Sequence, residues 1–225
     1  MSFEREAEMK LKMSLPDLER VLAAFVEKEN PAIKHKFNHR EYYDTDALDL
    51  YHAKVGLRMQ YKKGKNGVPG FHEQTVKYLL PDDSAIEGLS VRGECKDKLP
   101  TSSPDVSSLS DEGARAVVEP FLGKKLKHIF TAAVERRYFN VTVGAGKDKG
   151  TVELAFDVGE IILPAIGKRI PFAEVEIEMK KGSTAAIEAV CAAIQKIAPD
   201  AEIKTDESKA KAGTDAYRKY VLKQN

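Results

Sequence analysis

At 225 residues and 24.9 kDa the chain is long enough to enclose a sizeable core, and a single domain over residues 1–225 is the simplest expectation. Lys and Arg total 36 against 35 Asp and Glu, and a formal net charge of +1 gives no general attraction to nucleic acid or to an anionic membrane surface. Hydrophobic residues make up 42%, too many for a disordered chain, and no apolar run approaches the roughly 20 residues of a membrane span. The start, MSFEREAEMKLK, is charged and has no secretory apolar segment, so a soluble cytoplasmic protein is expected. Cys95 and Cys191 lack CxxC spacing, which argues for reduced thiols rather than a disulfide or a structural zinc site.

Alternating polar and apolar residues predict a first strand over 3–13. A helix follows in SLPDLERVLAAFVEKEN, where Ser14 is the expected N-cap, Pro16 suits the first turn, and Leu18, Val21, Leu22 and Phe25 lie on one apolar face. Strands are next predicted over 39–45, 56–63, 71–80 and 88–96, with turns in KKGKNGVPG (62–70) and LPDDS (80–84). Residues 96–113, rich in Ser, Pro and Asp, read as a surface excursion with no chemistry of its own, and a short helix is expected near 111–124. Three longer strands, 128–143, 151–162 and 170–180, are joined by turns at 144–150 and 163–169. STAAIEAVCAAIQKIAPD then predicts a helix capped by Ser183 and stopped by Pro199, with Cys191 in its buried stripe, and a polar helix is expected over 207–222. The class is α+β: eight antiparallel strands, as a closed β-barrel or a pair of packed sheets, with flanking helices.

Three strands carry unusual faces. The first sets Glu4, Glu6, Glu8, Lys10 and Lys12 against Ala7, Met9, Leu11 and Met13. The seventh sets Thr151, Glu153, Ala155 and Asp157 against Val152, Leu154, Phe156 and Val158, and the eighth sets Glu174, Glu176, Glu178 and Lys180 against Val175, Ile177 and Met179. One such face is ordinarily a solvated sheet surface. Three of them stack like charges that repel across strands and need cations between them. If the apolar faces pack outward against the amphipathic helices and the charged faces turn inward, the acids form an oxygen-ligand cage for a hard divalent metal. Arg58, Lys77, Arg92 and Arg136 each lie within a predicted strand, where an unused charge would be costly. Together they describe a lumen suited to a polyanion with metal-bridged phosphates. The other reading of the acids is structural salt bridging, and Glu153 or Asp157 could pair simply with a neighbouring arginine. Histidines 35, 39, 52, 72 and 128 show no HxH or helical HxxxH spacing, and Tyr42 and Tyr43 read as packing residues.

Glu6, Glu8 and Lys10 form an ExExK signature whose context resembles the CYTH superfamily, the triphosphate tunnel metalloenzymes, and most of all its bacterial inorganic triphosphatases. YYDTDALDLYHAKVGLRMQ is similar to the family block ending in a phosphate-binding arginine, here Arg58; EQTVK matches the block ending in the tunnel lysine, Lys77; and GLSVRGE matches the block carrying Arg92 and Glu94. IFTAAVERRYF, VELAFDVGEI and AEVEIEMKKGS follow in family order, and SKAKAGTDAY resembles a helix that plugs the tunnel, making Lys209 a candidate phosphate contact. The resemblance runs from residue 3 to 220. Two departures stand out: Gln60 replaces the second arginine of an LRxR pattern, and KAKAG lacks the arginine many members carry in the final motif, with Lys211 as a possible substitute.

The resemblance implies an eight-stranded tunnel with a C-terminal plug helix over 207–222, two divalent cations (Mg²⁺ or Mn²⁺), and cleavage of a triphosphate. It implies metal ligation by Glu6, Glu8, Glu153, Asp157, Glu174 and Glu176, substrate binding by Arg58, Lys77, Arg92, Arg136 and Lys209, and catalytic roles for Lys10, Arg58, Lys77 and Arg136. One cation would bridge phosphate oxygens while the other activates the attacking water. The expected function is hydrolysis of inorganic triphosphate to pyrophosphate and phosphate, with a small-molecule triphosphate as partner, no nucleic acid or membrane, and a monomer or homodimer. The alternatives are an adenylyl cyclase of the class IV type, a thiamine triphosphatase, or a non-catalytic polyphosphate or nucleotide binder. A thiamine ring favours a Trp platform, and the chain has no Trp.

Overall fold

The computed structural model describes residues 2–64, 69–80, 86–204 and 208–224. Parts of the turns expected at 62–70 and 80–84, namely 65–68 and 81–84, lie outside those residues, as does Glu207 of the expected C-terminal helix. The strands are β1 (Ser2–Lys12), β2 (Lys34–Asp44), β3 (Gly56–Lys62), β4 (Phe71–Leu79), β5 (Ser90–Leu99), β6 (Lys127–Val143), β7 (Gly150–Leu163) and β8 (Lys168–Gly182). They run in the order β5-β4-β3-β2-β6-β7-β8-β1, and β1 also pairs with β5, so eight antiparallel strands close in a ring. The closing register sets Glu4 opposite Glu94, Glu6 opposite Arg92 and Glu8 opposite Ser90. A two-residue β9 (Glu202–Ile203) adds to the end of β1.

The charged faces of β1, β7 and β8 turn inward because their apolar faces have helices to meet. In α1 (Leu15–Glu29) the Ser14 hydroxyl accepts the Asp17 amide at 3.2 Å, and Asn30, at φ 43°, ends the helix in the left-handed region. Leu18, Val21, Leu22 and Phe25 of α1 join Ile187, Val190, Cys191 and Ile194 of α4 (Ala185–Ile197) over Met9, Leu11, Leu154, Val175 and Ile177. Each buried Leu, Ile or Phe contributes about 1.5–3 kcal/mol, so a one-residue slip, which would move them among the acids, is strongly disfavoured. A second outer cluster sets α3 (Glu112–Val118), through Ala114 and Val118, against Leu57, Val76 and Cys95.

One end of the ring is apolar. Phe130 and Ala132 have the strand parity of Arg136, and Ile161 and Leu163 that of Asp157, yet they form a cluster with Tyr42 and with Tyr217 of α5 (Lys209–Tyr220). Gly213 permits this contact, because a Cβ there would collide with the Phe130 ring.

Several local expectations need correction. The α4 N-cap is Thr184, not Ser183, whose hydroxyl instead accepts the Ala185 amide at 3.3 Å. The helix expected over 111–124 is only α3, capped by Asp111 and followed by a 3₁₀ turn at Glu119–Phe121; Pro120 has no N–H with which to continue it. β2 starts at Lys34 rather than 39, and β5 runs on to Leu99, so the excursion proper begins at Pro100. That excursion is anchored: the Gln74 amide donates to the Asp105 carbonyl at 2.9 Å and accepts the Asp105 N–H at 2.7 Å.

Candidate active site

The ring encloses a cavity of about 210 Å³ to which all eight strands contribute charged side chains: Glu6, Glu8 and Lys10 from β1, Lys36 and Arg40 from β2, Arg58 from β3, Lys77 from β4, Arg92 and Glu94 from β5, Arg136 from β6, Glu153 from β7 and Glu176 from β8, with Lys209 entering from α5. The period-two alternation of each strand delivers these groups to one side. Neither Thr75, which pairs with Arg58 in the β3–β4 register, nor Thr151, expected in the lumen but facing Thr142 at the strand end, is among the residues lining the cavity.

Two acid clusters stand in this wall. In the first, Glu4, Glu6 and Glu94 bring carboxylate oxygens within 4.8 Å of one another. Lys77 pairs with Glu6 and reaches Glu94 at 3.2 Å, Arg58 donates to Glu94 at 2.9 Å, and Lys96 bridges Glu4 and Glu94. Burial pushes the Glu6 carboxyl up to about 7 against the pull of Lys77, and Glu94 beside it adds to the rise. Burial would raise Glu94 too, but Lys77 and Arg58 hold it well below the carboxylate range.

The second cluster is Asp157, Glu174 and Glu176. Arg136 donates to both oxygens of the fully buried Asp157 at 2.7 Å and also pairs with Glu176. The Lys209 ammonium bonds Asp157 at 2.6 Å, Glu176 at 2.7 Å and Glu174, while Lys10 meets Glu8 at 2.7 Å and Glu176 at 3.0 Å. Burial opposes ionisation of Glu176, but Arg136, Lys10 and Lys209 together hold it far below its ordinary value. Both clusters are all-oxygen donor sets, the chemistry that suits a hard divalent cation rather than a thiophilic or imidazole-seeking one.

Of the residues singled out in the sequence, Glu6, Glu8, Glu153, Glu176, Lys10, Arg58, Lys77, Arg92, Arg136 and Lys209 line the cavity, and Asp157 and Glu174 reach it through Arg136 and Lys209. Glu8 and Glu153 stand outside the two clusters. Lys209, expected on phosphate, sits on three carboxylates here, and Lys211 meets Asp215 at 2.7 Å. Sequence reasoning passed over Glu4 and Glu94 as ligands, along with Lys96, Lys36 and Arg40. The period that exposed β1 also puts Arg92, Glu94 and Lys96 on one face of β5 and would have found the first three. Tyr42 packs as expected, stacked on Phe130 with centroids 4.4 Å apart, but it is also the one aromatic side chain among the described residues lining the lumen.

A second cavity of about 280 Å³ adjoins the first, with Tyr42, Gly56, Arg92, Ser208 and Ala210 lining both. Its wall adds Tyr43, Tyr51, His52 and Phe130. Aromatic groups are thus scarce in the lumen but plentiful in its neighbour.

The model of the CYTH domain matches residues 4–212, and the chain belongs to that family. Its fold is similar to that of an adenylate cyclase candidate from Bacillus halodurans (20% identity, 93% of this chain and 97% of that chain covered, TM-score 0.61). It is similar also to an adenylyl cyclase candidate from Hippeastrum described as having a dominant triphosphatase activity (19% identity, 94% and 96% covered, TM-score 0.62), and to the PH1819 protein of Pyrococcus horikoshii OT3 (17% identity, 94% and 99% covered, TM-score 0.50). No curated protein sequence matches the chain. Among the described residues no helix is long and apolar enough to cross a membrane.

Proposed function

We propose that this CYTH protein is a metal-dependent triphosphatase that hydrolyses inorganic triphosphate to pyrophosphate and phosphate inside the ring. The observation that carries this reading is the composition of the lumen, where guanidinium and ammonium groups from β1, β3, β4, β5 and β6 alternate with two carboxylate clusters and Tyr42 is the single aromatic group among the described lining residues. A site for phosphate alone gains nothing from carboxylates, whereas a site for phosphate with divalent cations needs both signs of charge. Glu4, Glu6 and Glu94 would hold one cation, and Asp157, Glu174 and Glu176 a second, with Glu8 and Glu153 beside them; Mg²⁺ and Mn²⁺ both suit these oxygens. Bound there, such ions would offset phosphate charge and activate water for in-line attack. Arg58, Lys77, Arg92 and Arg136 would grip phosphate oxygens and stabilise the charge that shifts to the leaving group. Lys10 orients Glu8 and Glu176, and Lys209 would exchange part of its carboxylate contact for phosphate when the polyanion enters. The triphosphatase activity described for the Hippeastrum relative is in line with this chemistry.

A second reading is favoured by the adjoining 280 Å³ cavity, whose tyrosines could receive the ring of an organic triphosphate while its phosphates lie in the lumen. Incubation of the protein with Mg²⁺ or Mn²⁺ and tripolyphosphate, ATP or thiamine triphosphate, followed by product analysis, tests both. Equimolar phosphate and pyrophosphate from tripolyphosphate, lost on chelation, is expected. Failure to release phosphate, pyrophosphate or cyclic AMP from any of the three would overturn the enzyme assignment.

A further inference from the structure

The β2 wall of the lumen holds cations that no carboxylate among the described residues neutralises. Among the described residues neither Lys36 nor Arg40 has a carboxylate at ion-pair distance, although Arg40 is only 8% exposed. Lys36 lies directly opposite Arg136 in the β2–β6 register, a like-charge juxtaposition that ordinarily destabilises a sheet. Arg40 donates through Nε to the Gln60 side-chain oxygen at 3.4 Å, and Lys62 donates to that same neutral oxygen at 3.1 Å while pairing with Glu73 at 3.0 Å. Between Lys36 and Arg40 on the same strand face, the fully buried Asn38 leaves its amide Nδ2 without an acceptor, and the Arg58 Nε is equally unmatched. Donors thus outnumber acceptors, and a buried guanidinium without a counter-ion is costly enough to need a compensating function. Lys36 and Lys62 also line a surface recess of about 870 Å³ to which α5 contributes no residue, so this wall stands where the lumen opens away from the helix.

We infer that Lys36, Arg40 and Lys62 form an anion subsite at the mouth of the lumen that binds a phosphoryl group of an entering phosphate chain without the help of metal. The inference deepens the phosphate-tunnel reading and rests on it for the identity of the chain, but not for the presence of an anion site. It separates two tasks within one cavity: the carboxylate clusters need a divalent cation before phosphate is tolerated, whereas this wall attracts phosphate outright.

Isothermal titration of metal-free protein in excess chelator with tripolyphosphate, and separately with orthophosphate, tests it. Wild-type protein should bind tripolyphosphate, and Arg40→Gln and Lys36→Gln should each weaken that binding by about 10-fold, the scale of one charge-assisted hydrogen bond. Arg40→Lys should recover part of the loss, and Lys36→Gln should melt no lower than wild type without ligand, because it removes a repulsion. Binding within about twofold of wild type in both glutamine variants, or no anion binding by wild type, overturns the subsite. A lower ligand-free melting temperature for Lys36→Gln, with affinity unchanged, would mark a structural lysine and overturn it too. Variants that lose metal-free binding in a protein that never hydrolyses triphosphate would instead uphold the subsite and defeat only the proposed hydrolysis.

Discussion

Arg136 and Asp157 face each other across the β6–β7 pair, joined by two guanidinium–carboxylate hydrogen bonds of 2.7 Å, and Asp157 has no solvent exposure at all. Removing Arg136 leaves the Asp157 charge out of reach of water, with Lys209 at 2.6 Å as its remaining cation. Arg136→Ala should therefore destabilise the fold by about 3–5 kcal/mol in chemical denaturation, as well as reducing turnover, and the double variant Arg136→Ala/Asp157→Asn should recover part of the stability but none of the activity. Lys124→Ala, which breaks a surface contact with Asp49 at 3.0 Å, should leave turnover unchanged. Equal loss of activity in Arg136→Ala and Lys124→Ala would show that the lumen is not where the chemistry happens.

Much of this ring was legible because β1, β7 and β8 invert the usual pattern. Their acidic faces alternate cleanly with Met9, Leu11, Leu154, Val175 and Ile177, which two amphipathic helices cover. The first half of β2 gave no such signal. Its residues 34–37 are exposed on both sides, with Phe37 at 69%, so no apolar face marks the strand and Lys36 escaped notice, as did Arg40 beyond it. Glu94 was read as part of a motif rather than as a ligand, because its nearness to Glu4 depends on β1 closing the ring against β5, a contact between residues 90 positions apart. The aromatic neighbour cavity depends likewise on α5 meeting β3, which no local pattern encodes.

The two acid clusters predict isosteric sensitivity. Glu6→Gln and Glu176→Gln each remove one carboxylate from a cluster without changing side-chain size, and each should lower kcat by at least about 10²-fold while circular dichroism stays unchanged. Metal titration should show weaker divalent-ion binding in both. Wild-type turnover in either variant would remove that cluster from the mechanism.

Lys36 predicts a pH-dependent stability difference. Lys36 is exposed as a residue, but partial desolvation of its amine end, with Lys62, Arg40, Arg136 and Arg58 around it, pushes the amine from 10.5 down to about 8. Between about pH 8 and 10 the unfolded chain keeps a proton that the folded chain releases, so this group's contribution to stability rises with pH across that window. The melting-temperature advantage of Lys36→Gln over wild type should accordingly be largest near pH 7 and shrink toward pH 10. A difference independent of pH would contradict the charge assignment.

Gly213 tests how α5 closes its end of the ring. A methyl group there collides with the Phe130 ring, so Gly213→Ala should cost about 1–3 kcal/mol in urea denaturation despite its better helix propensity. Phe130→Leu in the same chain should restore part of that loss. A stabilised Gly213→Ala variant would mean that α5 does not pack on Phe130.

Substrate choice between the charged lumen and its aromatic neighbour is settled most directly by kcat/KM for tripolyphosphate, ATP and thiamine triphosphate under one metal condition. Phosphate-only recognition predicts that tripolyphosphate exceeds each of the other two by at least about 10-fold, because a ring adds desolvation and steric cost to contacts the phosphates already make. Cyclic AMP as the main product from ATP, or a preference for thiamine triphosphate, would contradict it.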